Sequence, residues 1–403
     1  MLDIDALDKT EKRSWVFRDV TCLPPDFRRC MLNLSPGGSD SSEWREFDLE
    51  KKEFVDGGFA LPEAKSWVSW RDKDTLLITT AMGGDTETSS GYGRQLRLWR
   101  RGTPFEEANV IFDVPVDHMT TSPQLVADGN ANHILIADAV TIFQSDYYYL
   151  QDDNEVTRLH LPAAFQFSNI HKGWVVGLLL SDWQDLPQGA LVGFRITDLG
   201  EPPETASVIF RPNQLQAVQS LLGGGVVKTS EALYFSILDD VVGELLRVSF
   251  DGEKWTTKTV ALPGNGTTSV VAAGGKYDTV VARYESFIQP PTLFATEGGE
   301  QPIQIDQLQE KFDGSNYVTE QYFADSADGT RVPYFVVSPK TIKKDGSAPA
   351  LLGAYGGFGL AMTPGYMGTI FGNGAPFKTL SLIHISEPTR RYAISYAVFC
   401  LKK

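Results

Sequence analysis

The stretch LLRVSFDGEKW at residues 245–255 carries the pattern from which the fold can be predicted. Its first half, residues 245–250, is rich in apolar and β-branched residues and alternates in part with polar ones, which is typical of a β-strand. Asp251 and Gly252 then supply the acidic and glycine residues that favour a turn. The stretch therefore predicts a strand, a turn and the start of another strand.

The same order of strand, acidic or glycine turn and strand recurs along the chain. The copies lie near Phe47, Leu98, Tyr149, Phe194, Val248 and Phe294. Their spacing of roughly 45 to 54 residues is the period of a four-stranded propeller blade. Further examples of predicted strands are residues 75–79, 95–99, 133–137, 147–150 and 191–196. No long stretch with a 3.6-residue period competes with the strand pattern.

These repeats predict a mainly β fold, a β-propeller of the seven-bladed type over residues 1–305. Six repeats are visible, and we expect a seventh blade that is incomplete at the N-terminus. Blades that close into a ring leave no long sheet edge free to pair with other chains. An array of β-sandwiches is the alternative reading of the same strands.

The charge balance of the 403-residue chain argues against a nucleic-acid partner. The formal net charge is −15, whereas binding to phosphates needs clustered Lys and Arg. An acidic surface favours either basic peptide substrates or simply solubility. Hydrophobic residues make up 42% of the chain, enough for a packed core.

Cysteine usage and the ends of the chain suggest a soluble cytoplasmic protein. Cys22, Cys30 and Cys400 are an odd, sparse set, from which we expect no disulfide framework and a reducing compartment. The acidic N-terminus MLDIDALDKTEK does not read as a signal peptide. The longest apolar run, residues 174–180, is far short of the roughly 20 residues that span a bilayer.

The last residues, LSLIHISEPTRRYAISYAVFCLKK at 380–403, resemble the translation of a sequencing-library adapter rather than a natural sequence. A natural strand-rich tail is the alternative. We exclude this segment from functional reasoning, so that His384, Ser386 and Cys400 are not candidate site residues. The natural gene is expected to continue beyond Thr379.

The pattern changes after residue 305. Residues 303–312 are rich in Gln and Glu and suggest a linker or a short helix. Two strands are predicted at 320–324 and 332–338, joined by a segment that contains the hairpin signal Asp328-Gly329. A short apolar strand at 350–354 runs directly into Tyr355 and a pair of glycines.

Three successive segments in this part of the chain resemble signatures of the prolyl oligopeptidase family of serine peptidases. They are SFIQPPTLF at 286–294, FADSADGTRVPYFVVSP at 323–339 and PALLGAYGGFGLAMTPGY at 349–366. The first is similar to the last propeller blade, the second to the hairpin that opens the α/β-hydrolase domain, and the third to the strand and oxyanion loop that follow. The resemblance implies that residues 306–379 are the truncated N-terminal part of an α/β-hydrolase peptidase domain.

The third segment carries the candidate site. An acyl-transfer enzyme must place hydrogen-bond donors where negative charge develops on the attacked carbonyl oxygen. By resemblance, Tyr355 is the oxyanion-hole tyrosine, and Phe358 lines the pocket for the residue before the scissile bond. Gly356 and Gly357 would let the backbone approach the substrate closely. An ordinary glycine-rich turn with a packed aromatic residue is the alternative.

The catalytic triad is missing from the chain. No serine has the G-x-S-x-G spacing of a nucleophile turn, and Ser39 fails at the last position of that pattern. In this fold class the order is Ser, Asp, His, so we expect all three downstream of residue 379. His118, His133, His160 and His171 are expected to be structural or surface residues.

Searches for other chemistry return little. The sequence contains no P-loop, HExxH, EF-hand loop or Cys-x-x-Cys pair, and we expect no metal and no organic cofactor. The acidic residues 152–155 suggest a hairpin turn rather than a Ca²⁺ site.

The resemblance implies a monomeric oligopeptidase whose propeller admits only short peptides to the active site. It would cleave them, we expect after proline, through a covalent acyl-enzyme, and the chain itself is expected to be inactive. A propeller that binds peptides or proteins without catalysis is one alternative. A related dipeptidyl-peptidase, acylaminoacyl-peptidase or oligopeptidase B-like enzyme is another.

Overall fold

A computed structural model describes residues 2–219, 225–355, 362–370, 381–386 and 397–401. The chain divides into two compact units, one of residues 1–188 and 192–207 and one of residues 189–191 and 208–403. The architecture is mainly β, as predicted. Within the described parts of the chain, no helix is both long enough and apolar enough to cross a membrane.

Helix α1 and the first sheet open the first unit. The helix spans Ile4–Glu11, and its N-cap Asp3 accepts a hydrogen bond from the backbone of Ala6. The first sheet has the order β1-β2-β3-β4, with β5 also paired to β3. Its strands are β1 (Trp15–Cys22), β2 (Arg29–Pro36), β3 (Ser42–Asp48), β4 (Glu53–Phe54) and β5 (Ala60–Ala64).

The start of the chain differs from the expected remnant of a seventh blade. Residues 4–11 form α1 rather than a strand. Asp3 caps this helix, and the apolar residues of the helix pack against the first sheet. Leu2, Ile4 and Leu7 pack against a buried cluster that belongs to the first sheet. We therefore correct this detail of the prediction.

The cysteine prediction is also wrong. Cys22 and Cys30 are directly opposite each other on β1 and β2, with their Cα atoms 4.0 Å apart, and form a disulfide. The sequence argument counted the cysteines but did not establish this strand register, which brings the two side chains together.

Three further sheets of four antiparallel strands each follow in chain order. The second contains β6 (Ser66–Asp72), β7 (Thr75–Thr80), β8 (Gln95–Arg100) and β9 (Asn109–Asp113). The third contains β10 (Thr120–Asp128), β11 (Ala131–Ala139), β12 (Ser145–Leu150) and β13 (Val156–Leu159). The fourth contains β14 (Phe165–His171), β15 (Trp174–Leu179), β16 (Leu191–Arg195) and β17 (Ser207–Phe210). The division between the units falls within this fourth sheet.

Two more sheets belong to the second unit. The fifth has the order β18-β20-β21-β22, with β19 also paired to β20. Its strands are β18 (Gln216–Val218), β19 (Val227–Lys228), β20 (Ala232–Asp239), β21 (Val242–Phe250) and β22 (Trp255–Val260). The sixth contains β23 (Thr267–Ala273), β24 (Thr279–Glu285), β25 (Thr292–Glu297) and β26 (Ile303–Gln307).

The sequence repeats correspond to one position in these sheets. The six repeat centres lie in or next to β3, β8, β12, β16, β21 and β25, and each of these is the third strand of its sheet. The prediction of repeated four-stranded units is confirmed. The prediction of a linker or short helix at 303–312 is wrong in its first half, because β26 pairs with β25 as the fourth strand of the sixth sheet.

Aromatic side chains fill the core between the first and second sheets. Trp70 is fully buried, and its Nε1 donates a hydrogen bond of 3.0 Å to the carbonyl oxygen of Thr21. Phe59 meets the rings of Trp70 and Trp99 edge to face, at centroid distances of 6.0 and 5.0 Å. Such contacts add directional preference to the burial of large apolar surfaces.

A half-buried carboxylate joins the fifth and sixth sheets. Asp278 accepts hydrogen bonds from Thr229 Oγ1 at 2.7 Å and from Tyr234 OH at 3.1 Å. Arg247 donates to the same carboxylate at 2.9 and 2.6 Å. Burial, followed by the charge of Asp278, raises the pKa of Tyr234 above its usual range, so the phenol stays protonated and donates.

A seventh sheet, with the order β27-β28-β30-β29-β31, lies at the end of the chain. Its strands are β27 (Tyr317–Asp325), β28 (Arg331–Pro339), β29 (Ala350–Tyr355), β30 (Ser381–Ser386) and β31 (Ala397–Leu401). A short helix, α2, spans Met367–Ile370. The predicted hairpin and the predicted strand that precedes the glycines are confirmed.

The strands β30 and β31 fall in the segment that resembles a translated adapter. β30 runs parallel to β29 and antiparallel to β28, and β31 pairs with the other edge of β29. These pairings do not test where the segment comes from, and its adapter origin stays a prediction.

Candidate functional site

The candidate site lies at the carboxyl end of β29, in the second unit. Tyr355 is the last residue of this strand and pairs in register with Ser386 of β30. Leu351, earlier in the strand, packs against a core formed by Phe287, Phe335, Val337 and Met367. The apolar sequence of β29 thus anchors the strand that directly precedes the glycine-rich sequence.

Directly after the glycine-rich sequence, residues 364–366 are hydrogen-bonded to the sixth sheet. The carbonyl oxygen of Pro364 accepts a hydrogen bond of 2.7 Å from Thr267 Oγ1, at the start of β23. The backbone N–H of Tyr366 donates to Glu285 Oε2 at 3.2 Å, at the end of β24. Thr267 and Glu285 are register partners, so both contacts fall at the same end of the sixth sheet. These two hydrogen bonds therefore attach residues 364–366 to that end of the sixth sheet.

Tyr366 is the main anchor of the returning segment. Its side chain is buried, and its ring stacks on Phe312 with the centroids 5.4 Å apart. The hydroxyl accepts a hydrogen bond of 2.8 Å from the backbone N–H of Lys311. A Cβ atom at Gly368 would collide with the Tyr366 ring, which explains why glycine suits that position.

The hairpin of β27 and β28 is attached to the fifth and sixth sheets. Gln321 Nε2 donates a hydrogen bond of 2.7 Å to the carbonyl oxygen of Asp240, in the turn between β20 and β21. Phe335 is fully buried and meets the ring of Phe287, with the centroids 5.4 Å apart. Just before β27, a Cβ atom at Gly314 would collide with the carbonyl of Ile288, so the backbones approach closely there.

Charged groups near this frame have structural partners. Asp313 accepts hydrogen bonds from the backbone and hydroxyl of Ser315 and from Asn316, and these bonds lower the pKa of its carboxyl group. Glu285 forms an ion pair of 2.8 Å with Arg283. The acidic groups described here therefore stabilise turns and strand ends in the residues on either side of the glycine-rich sequence in the chain.

The predicted site residues are only partly placed. Tyr355 is described as the end of a strand, whereas Gly356, Gly357 and Phe358 lie outside the described residues. Their roles stay predictions. The sequence reasoning missed Phe312 and Tyr366 as anchors of the frame, although Pro364-Gly365-Tyr366 ended one of the quoted segments. A buried aromatic residue directly after a glycine-rich loop is a signal that could have identified Tyr366.

The four histidines before residue 306, namely His118, His133, His160 and His171, lie in the propeller sheets and their connections. His118 Nδ1 is 2.8 Å from Asp138 Oδ1, and burial raises the pKa of that carboxyl group. His133 Nδ1 is 3.1 Å from the hydroxyl of Tyr149, and His171 is buried. In the part of the chain that the structure describes, no three His, Cys, Asp or Glu side chains are grouped as metal ligands.

Two small cavities are lined by described residues. One, of about 210 Å³, borders the frame and is lined by Pro291, Leu308, Gln309, Lys311 and Tyr366. The other, of about 150 Å³, lies in the first unit. Its rim includes the ion pair between Arg158 and Asp146, with a separation of 2.9 Å. Neither cavity is lined by a residue of the predicted site.

Residues 1–303 match the family profile described as the prolyl oligopeptidase N-terminal β-propeller domain. An uncharacterized peptidase of Sinorhizobium fredii is 33% identical over 379 residues, which cover 91% of this chain and 52% of that protein. An uncharacterized peptidase of Rickettsia prowazekii is 31% identical over 385 residues, with coverages of 90% and 53%.

A solved structure of a related protein also matches most of the chain. It is described as a post-proline cleaving enzyme from Rickettsia typhi and superposes with a TM-score of 0.81 at 27% identity. The match covers 95% of this chain and 58% of that one. The chain thus spans about half the length of the curated relatives it matches.

Proposed function

Because the chain belongs to the prolyl oligopeptidase family of peptidases, we propose that it is part of a serine peptidase that hydrolyses short peptides after proline. The observation that carries the proposal is the segment at 349–366, in which strand β29 ends at Tyr355, directly before the glycine-rich sequence. Around it, the hairpin of β27 and β28 and the anchored residues 364–367 form one packed frame.

The proposed chemistry uses the tyrosine hydroxyl as a hydrogen-bond donor. Attack on a peptide carbonyl places negative charge on its oxygen, and a donor held at that position stabilises the transition state. Tyr355 would supply one such bond, and Gly356 and Gly357 would allow the substrate backbone to come close. Phe358 would contact the side chain of the residue before the scissile bond.

The nucleophile is proposed to come from sequence beyond residue 379. The chain contains no G-x-S-x-G turn, and in α/β-hydrolases Ser, Asp and His follow the early strands in that order. The 403-residue chain is therefore expected to be inactive. A cytoplasmic location and a monomeric state stay part of the proposal, and fractionation and light scattering would check them.

Preference for proline is supported by the similarity to the Rickettsia typhi enzyme, which is described as post-proline cleaving. The decisive experiment reads the genomic DNA beyond codon 379 and expresses the complete product. Chromogenic peptides with proline, arginine or lysine before the scissile bond are then assayed with that product and with the 403-residue chain.

We expect a serine turn downstream, turnover of the proline peptide by the complete product and none by the shorter chain. A gene without such a turn would instead support a propeller that binds peptides without catalysis. Turnover confined to the basic peptides would overturn the proline preference, and turnover by the shorter chain would overturn the placement of the triad.

A further inference from the structure

The cysteine pair in the first sheet is a second site with its own chemistry. Cys22 ends β1 and Cys30 lies near the start of β2, where the two residues are register partners. Their Cα atoms are 4.0 Å apart and their sulfur atoms are bonded. The bond closes the loop 23–29 at the end of the hairpin, which does not involve the peptidase segment.

The two cysteines differ in exposure. Cys30 is fully buried and belongs to the core cluster of the first sheet, together with Trp15, Leu34 and Phe47. Cys22 is half-buried at the rim of the same cluster. An external thiol can therefore approach Cys22 more easily than Cys30, since exchange depends on access to the attacked sulfur.

The backbone keeps the two cysteines opposed without help from the disulfide. Thr21, next to Cys22, pairs with Met31 and also accepts a hydrogen bond from Trp70 Nε1. The N–H of Leu23 donates to the carbonyl oxygen of Arg29 at 2.9 Å. If the sulfur–sulfur bond is opened, the thiols remain neighbours, which favours closure again within the same molecule.

The loop that the bond closes has a partly exposed end. Leu23 packs against the core between the first and second sheets. Phe27, by contrast, is 40% exposed and has a left-handed backbone with φ of 55°. A non-glycine residue in that region must be held by its surroundings. The disulfide is one of the bonds that hold this loop.

We propose that Cys22 and Cys30 form a reversible thiol–disulfide couple that sets the mobility of the loop 23–29. In the oxidised form the two ends of the loop are joined covalently, and in the reduced form only backbone pairing and hydrogen bonds hold them. Because the pair lies in the first sheet, this inference is independent of the peptidase proposal.

The exchange reaction balances with a dithiol as the reductant. One thiolate of the dithiol attacks Cys22 Sγ, a mixed disulfide forms, and Cys30 leaves as a thiolate that takes up a proton. The second thiol of the dithiol then attacks the mixed disulfide, and Cys22 leaves and is protonated. The protein gains two electrons and two protons, and the dithiol becomes a cyclic disulfide.

Thiol counting tests whether the bond forms. The full chain, purified without reductant, is denatured and labelled with a maleimide, before and after treatment with dithiothreitol. The chain has three cysteines, so we expect one labelled thiol before reduction, on Cys400, and three after it. The Cys400→Ser variant should give none and two. Three labelled thiols before reduction in the wild type would overturn the proposal.

Tryptic cleavage tests whether the bond controls the loop. Cleavage after Arg28 is followed by mass spectrometry in samples that are reduced only after the protease is stopped. We expect dithiothreitol to speed this cleavage about fivefold or more, because the loop loses its covalent closure and opens locally more often. Cleavage after Lys73, in the exposed turn between β6 and β7, is the internal control and should not change.

The Cys22→Ser/Cys30→Ser variant should show the fast cleavage after Arg28 without reductant and no response to dithiothreitol. Cys400→Ser should respond as the wild type does. Equal cleavage rates in the oxidised and reduced wild type would overturn the control of the loop, whatever the folding of the double variant.

Discussion

The first six sheets, between residues 15 and 307, differ from the seventh sheet in how their strands pair. In the six sheets, almost every strand pairs with its neighbour in sequence, and β5 and β19 are the additional pairings. In the seventh sheet, β30 lies between β28 and β29 and pairs with both. Pairing of strands that are neighbours in sequence closes only a short loop and costs little chain entropy. The seventh sheet pairs segments that are distant in sequence, so it closes longer loops.

Burial follows the same division. Trp70, Tyr234 and Phe235 are completely buried within the six sheets. In the seventh sheet, β27 has no buried residue, and β28 buries its face mainly through Phe335 and Val337. Among the residues whose burial is described, the hairpin of β27 and β28 buries less than the six sheets do, and we infer that the six sheets contribute more to the folding stability than this hairpin.

The largest effect on stability is expected for Trp70→Ala in the six-sheet region. Removing a fully buried tryptophan leaves a cavity, so we expect a loss of about 3–5 kcal/mol in the free energy of unfolding. Denaturant titration followed by tryptophan fluorescence and circular dichroism measures it.

The matched control for this change is Trp67→Ala. Trp67 lies on the same strand, β6, but is 43% exposed, so we expect a loss below about 1 kcal/mol. Equal losses for the two variants would show that the core between the first and second sheets does not carry the stability assigned to it.

The next effect concerns the glycine-rich loop. In the complete gene product, Tyr355→Phe removes the proposed oxyanion donor, and we expect kcat to fall about 10²–10³-fold with little change in KM. Steady-state assays with a proline peptide measure both constants. An unchanged kcat would assign the oxyanion role to other donors.

A smaller effect is expected where the seventh sheet meets the sixth. Tyr366→Phe keeps the ring stacked on Phe312 but removes the acceptor for the backbone N–H of Lys311. We expect a loss of about 0.5–1.5 kcal/mol in the stability of this segment, measured by hydrogen exchange of β27 and β28. Tyr277→Phe, at a side chain that is 68% exposed, is the control and should have no effect.

The contrast between the two regions also explains which features the sequence predicted. The repeats around Phe47, Leu98, Tyr149, Phe194, Val248 and Phe294 identified the third strand of every propeller sheet, because strand and turn residues act locally. The Asp328-Gly329 hairpin was predicted for the same reason. Tyr355 was identified through a resemblance; the structure places it at the end of β29, and its role stays a prediction.

Features that depend on register or on distant contacts were not predicted. The disulfide requires that Cys22 and Cys30 face each other across β1 and β2, which the cysteine count does not reveal. The strand β26 is Gln-rich and mostly exposed, and only its pairing with β25 defines it. The anchoring role of Tyr366 depends on Phe312 and Lys311, more than 50 residues earlier in the chain.

The smallest effect should appear as a dependence of stability on pH in the first sheet. A hydrogen bond from Arg28, with help from the backbone of Lys51, lowers the pKa of Asp48 from 3.8 to about 2. The lowered pKa means that the ionised form of Asp48 is favoured more in the folded state than in the unfolded state. The contribution of this carboxylate to the free energy of unfolding is therefore present above pH 4 and is lost as the pH falls toward 2. Asp48→Asn should therefore flatten the fall of the melting temperature between pH 4 and 2, as measured by differential scanning calorimetry.

Asp56→Asn, at an exposed position in the connection between β4 and β5, should leave that profile unchanged. If the wild type and Asp48→Asn lost stability in parallel across this range, the ion pairs of the first sheet would not link its folding to pH. The acid sensitivity would then have to come from carboxylates outside the first sheet.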